Sequence, residues 1–66
     1  MFLIFFALEI AELLMNEGND EFKKRDFGNA VHLYTEGIKV RCMDGELKAK
    51  LYSNRSAAYF KLGKKV

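Results

Sequence analysis

The chain has 66 residues, one cysteine and no proline, so it forms at most one small domain and has no internal disulfide. A chain this short buries little of its surface and depends on efficient helix packing, a partner or further sequence. Its 11 basic and 9 acidic residues give a net charge of +2, and no basic stripe is interleaved with aromatics, which excludes a nucleic-acid surface.

The run Met1–Leu8, MFLIFFAL, is apolar and is followed by Glu9 and Glu12. It is too short for a membrane-spanning helix, which needs roughly 20 apolar residues. It also lacks the basic start and small-residue cleavage site of a secretory signal. The expectation is an apolar N-terminal extension of the first helix over residues 1–8 that covers a groove or lies exposed. If exposed, it is a surface for self-association or for a partner.

The first helix is expected from Ile10 to about Lys24, with Ile10, Leu13, Leu14, Gly18, Glu21 and Phe22 along its inner side. Lys23, Lys24 and Arg25 fall in its last turn, where cations suit the negative end of the helix dipole. Asp26 is the expected N-cap of a second helix, which makes the turn very short. That helix runs from about Gly28 to Arg41 and turns Ala30, Val31, Leu33, Tyr34, Gly37 and Ile38 inward. Leu14, Gly18 and Phe22 are spaced four apart, as are Ala30, Tyr34 and Ile38, so each set shares a helical face. Gly18 and Ala30 therefore predict close approach of two antiparallel helices. Gly37 costs about 1 kcal/mol relative to alanine inside a helix, which suggests that another backbone comes close there.

Cys42-Met43-Asp44-Gly45 breaks the pattern, and Asp44 can cap a third helix from about Gly45 or Glu46 to Leu62. Its inner side is expected to carry Leu47, Leu51, Tyr52, Arg55, Ala58, Tyr59 and Leu62, with the Arg55 head paired to a carboxylate. Gly63 ends the helix in the manner of a C-cap glycine, and 64–66 form a tail. The fold class is therefore all-α, a helical hairpin plus one further helix. His32 has no companions at metal-ligand spacing, and Cys42 has no positioned base that would make it a nucleophile. No phosphate loop, nucleophile elbow or paired-carboxylate site is present, so neither an enzyme nor a cofactor is expected.

Self-comparison aligns Phe22 with Phe60, an offset of 38 residues, against about 34 for a tetratricopeptide repeat. The strings EGNDEFKKRDFGNAVHLYTEGIKV and LYSNRSAAYFKLG resemble the first one and a half tetratricopeptide repeats of the Hsp90/Hsp70 co-chaperones. The resemblance covers residues 9–63, a full repeat over about 9–41 and a half repeat over about 46–63. It implies the opening of a right-handed solenoid in a cytoplasmic or nuclear protein, with Gly37 where the family usually has alanine.

The resemblance further implies a concave groove that docks the acidic C-terminal tail of Hsp90 or Hsp70 in a two-carboxylate clamp. Asn19 and Asn54 match the clamp asparagines of the first two repeats. Met15 and Phe22 would border the groove. Met15 stands where the family has a lysine, and no third repeat with its lysine and arginine occurs in the 66 residues. Neutral amides are weaker carboxylate donors than cations, so tail binding is expected to be weakened or lost, as in a fragment of a longer co-chaperone. Two alternatives stay open: a non-binding product that self-associates, and a membrane-tethered adaptor using Met1–Leu8.

Overall fold

A computed structural model describes residues 2–41 and 44–63, with the side chains of the first helix described from Phe6 onward. Expectations for Met1, for the side chains of 2–5, for Cys42 and Met43 in the linker and for the tail at 64–66 lie outside the described residues. Among the described residues three helices follow in order, α1 (Phe2–Lys23), α2 (Phe27–Lys39) and α3 (Gly45–Lys61). The architecture is all-α, a tetratricopeptide-type antiparallel hairpin of α1 and α2 with α3 laid against α2.

The first helix starts at Phe2, so the apolar run before Ile10 extends it. No proline, glycine or capping residue separates Leu8 from Ile10, so the helix runs back through Ala7 and Leu8 without interruption.

The α1–α2 turn is fixed by two devices. Arg25 adopts a left-handed φ of 66°, its N–H donates to the Phe22 carbonyl at 3.0 Å, and the Asp26 N–H donates to the Glu21 carbonyl at 2.9 Å. This pair of bonds is a Schellman motif, hidden from sequence inspection because arginine stands where glycine is usual. Asp26 then caps α2 as expected: its Oδ1 accepts the Asn29 N–H at 3.2 Å. The Phe22 and Phe27 rings meet edge to face at 5.0 Å across the same turn. Asp44 caps α3, accepting the Leu47 N–H at 2.9 Å, and Gly63 closes it with φ 74°.

The core is small and mixes sizes: Ala11, Ala30, Tyr34, Leu47, Leu51 and Ala58 are buried, with Leu8, Met15, Phe22, Val31, Ile38 and Val40 packed around them. On α1 the inner line runs through Ala11, Met15, Gly18 and Phe22, which corrects the expected placement of Ile10 and Leu13. Those two are 37% and 57% exposed, because the stripe that meets α2 is the one carrying the small residues. Tyr52 and Leu62 are likewise 50% and 39% exposed. The inner line of α3 is Leu47, Leu51 and Ala58, and the opposite side meets no described helix. Arg55 also departs from expectation. Its Nη1 donates to the Thr35 hydroxyl at 3.3 Å, and its guanidinium lies 5.3 Å from the Tyr52 ring and 5.9 Å from the Tyr59 ring. The tyrosine faces stabilise the cation where a carboxylate was expected.

Candidate functional site

Gly18 sets the position of the site. With no Cβ at this point on α1, the ring of Tyr34 from α2 comes close against the backbone; a Cβ there would stand 2.6 Å from Tyr34 Cε1. The ring is buried, and its hydroxyl emerges beside the next residue, donating to Asn19 Oδ1 at 2.5 Å. Burial pushes the Tyr34 phenol above its usual value, since desolvation disfavours the phenolate. The group is therefore a lasting donor at neutral pH.

The third helix arrives through a second small residue. Leu51 packs over Gly37, where a Cβ would meet Leu51 Cδ2 at 3.0 Å and the Ala11 carbonyl oxygen at 3.6 Å. This is the expected close approach at Gly37, involving one side chain and the backbone of α1. One turn further along, Asn54 Nδ2 donates to Asn19 Oδ1 at 3.1 Å. One carbonyl oxygen thus accepts from both other helices, and Asn19, Tyr34 and Asn54 form a hydrogen-bonded row across α1, α2 and α3.

These residues line a cleft of about 360 Å³ with Phe22, Lys23 and Ala57, at the small end of the range for ligand clefts. Three of the four residues singled out from sequence, Asn19, Asn54 and Phe22, come together here. Met15 does not join them. It lines a separate cleft of about 200 Å³ with Glu12, Asp44, Glu46 and Lys50. Sequence inspection missed Tyr34, taken as core only, and Lys23, taken as a solvated end-of-helix cation. The signal for Lys23 was its position four residues after Asn19, on the same face of α1.

The row also fixes which atoms are free. With Asn19 Oδ1 occupied twice, the Nδ2 of Asn19 and the remaining N–H of Asn54 are donors left for a ligand, joined by the Lys23 ammonium. The cleft is rich in donors and suits a ligand rich in acceptors. Its lining includes no His, Cys, Asp or Glu, and among the described residues no group of three or more of these could hold a metal. No described helix is long and apolar enough to cross a membrane.

Comparison with known proteins places the same segment in a wider set. The chain is 51% identical over 55 residues to tetratricopeptide repeat protein 4 of Homo sapiens, covering 83% of the chain and 14% of that protein. It is 39% identical over 54 residues to the Hsp70/Hsp90 co-chaperone CNS1 of Saccharomyces cerevisiae, covering 82% of the chain and 14% of that protein. Protein unc-45 homolog B of Xenopus laevis is 46% identical over 48 residues, 73% of the chain and 5% of that protein. The chain thus spans about a seventh of the length of the first relatives it matches. No family model matches it, and no solved structure matches it.

Proposed function

The chain belongs to the tetratricopeptide repeat family, of the tetratricopeptide repeat protein 4 kind, and from that premise we propose that it is a protein-interaction module docking acidic peptide segments. The cleft at Asn19, Tyr34 and Asn54 receives the segment, in a chaperone-associated role in the cytoplasm or nucleus. The observation that carries this reading is the Asn19–Asn54 hydrogen bond at 3.1 Å, which turns two amides 35 residues apart in sequence toward one opening. The name of the yeast relative, Hsp70/Hsp90 co-chaperone, supports an Hsp70 or Hsp90 partner, and the acidic C-terminal tail is the part of that partner proposed to dock. The module binds and does no chemistry of its own.

The physical basis is donor matching. A carboxylate accepts several hydrogen bonds, and the row presents its free N–H groups in fixed directions, so little ordering is needed on binding. Phe22, packed beside Phe27, gives the cleft one apolar wall for the aliphatic part of a ligand side chain. The test is isothermal titration of the 66-residue chain with an acidic chaperone-tail peptide. Asn54→Ala is expected to weaken binding about fivefold to tenfold, the loss of one hydrogen bond of roughly 1 kcal/mol or slightly more. No heat at millimolar peptide would remove the reading.

A second reading, self-association, is favoured by the exposure of Phe6 at 57%, Leu13 at 57% and Phe60 at 78%, since large exposed apolar groups mark association surfaces. Light scattering across concentration tests it, and a constant monomer mass would exclude it.

A further inference from the structure

Paired amides do not account for all of the cleft. Lys23 shares a face of α1 with Asn19 and lines the same opening, where it is the one ionised group among the lining residues. Its neighbour Lys24 is held by Glu21 at 3.3 Å, Lys39 by Glu36 at 3.2 Å and Lys50 by Glu46 at 3.7 Å. Among the described residues, no carboxylate pairs with Lys23, nor with Lys48 or Lys61; its place in the cleft is what sets it apart.

The Met15 cleft has the opposite character. Glu12, Asp44 and Glu46 line it against one cation, Lys50, which Glu46 already engages. An acidic segment is repelled at that end and attracted at the Lys23 end. The negative end of the α1 dipole works against an anion near Lys23, so neutral amides alone are poorly suited to hold one there. An ammonium reverses the balance, because charge-assisted hydrogen bonds are roughly twice as strong as neutral ones.

Resting on the docking reading above, we infer that Lys23 is the cation of this site. It seats one carboxylate of the ligand together with the free N–H groups of Asn19 and Asn54, while ligand residues that reach toward Met15 are apolar or basic. The site is then a single-carboxylate seat with a defined polarity. The seated group is either the chain-end carboxylate of a peptide or an Asp or Glu side chain.

The experiment titrates the 66-residue chain with an acidic peptide in free-acid and C-terminally amidated forms, using Lys23→Met and, as a control for net charge, Lys24→Met. Lys23 is exposed, so its replacement leaves the helices in place, which circular dichroism verifies. Lys23→Met is expected to weaken binding about tenfold, the loss of one charge-assisted bond, and Lys24→Met by less than about twofold, as an exposed, already paired charge. The same Lys23→Met loss is expected with whichever form binds, and that form identifies the seated carboxylate. Equal losses in the two variants would overturn the inference, by showing only a general field. So would an unchanged affinity in Lys23→Met alongside a loss in Asn54→Ala, a result that leaves the docking reading intact. No binding by the unsubstituted chain would remove both.

Discussion

The Tyr34 ring rests directly on the backbone of Gly18, so closely that a Cβ built there would lie 2.6 Å from Cε1 and 2.7 Å from Cδ1. Tyr34 is 1% exposed and its hydroxyl is held by Asn19, so the ring has nowhere to move. Gly18→Ala therefore overpacks the α1–α2 seam at a cost of about 1–3 kcal/mol. Better helix propensity returns only about 1 kcal/mol. The expected result is a melting temperature roughly 5–10 °C lower by circular dichroism, together with weaker peptide binding as Asn19 loses its partner. A raised melt would contradict this packing.

Gly37 provides the contrast. A methyl there meets Leu51 Cδ2 at 3.0 Å and Cδ1 at 3.3 Å, so the leucine must yield by a few tenths of an ångström rather than a full atom's width. The helix gains about 1 kcal/mol in propensity, which offsets most of that crowding. Gly37→Ala should melt within about 1 kcal/mol of the parent chain, far closer to it than Gly18→Ala. The reverse order of the two variants would show that the α2–α3 seam, not the α1–α2 seam, is the tighter.

Tyr34→Phe keeps the ring and removes the hydroxyl bond to Asn19. The expected loss is about 1 kcal/mol, smaller than for any truncation of the ring. The pH dependence carries an independent signature. The folded phenol is raised by burial, so the folded chain holds this proton more tightly than the unfolded one. The associated stability is fully present below the unfolded value of about 10 and is lost as pH rises through the raised folded value. Urea melts at neutral and strongly alkaline pH should show a decline in the parent chain that is smaller in Tyr34→Phe; equal declines would rule out this assignment.

Arg25 holds a left-handed conformation at φ 66°, which costs a residue with a Cβ about 1–2 kcal/mol. Arg25→Gly removes that strain but adds about 0.4–1 kcal/mol of unfolded-state entropy. The net expectation is a chain more stable by up to about 1.6 kcal/mol, read as an increased urea midpoint with unchanged slope. A lower midpoint would mean that the arginine side chain contributes more to the turn than its backbone strain removes.

Much of the fold could be read along the chain because it rests on local rules. Asp26 and Asp44 announced the starts of α2 and α3 by capping chemistry, and Gly63 announced the end of α3. No local signal opposes a helix from Phe2 onward, so α1 runs through the apolar extension that precedes Ile10. The turn at Arg25 was recognised as short, but its left-handed residue was not, since nothing in an arginine declares that conformation.

Which apolar residues face inward was less legible. Ile10, Leu13 and Tyr52 obey the same periodicity as the buried set yet are exposed, because a stripe more than one face wide cannot say which part meets the neighbour. The small residues Ala11, Gly18 and Gly37 decided it by setting where backbones and rings approach. For the site, resemblance supplied Asn19, Asn54 and Phe22, while Met15 lies in the other cleft and Lys23 was passed over.

The sequence by itself determined three helices and the aspartate caps of α2 and α3, because these depend on contacts within a few positions of the chain. Only the tertiary structure decided that one oxygen of Asn19 serves both Tyr34 and Asn54, and that Lys23, not Met15, shares their opening. Those relations span three helices, and their geometry is set by how closely Tyr34 lies over Gly18 and Leu51 over Gly37.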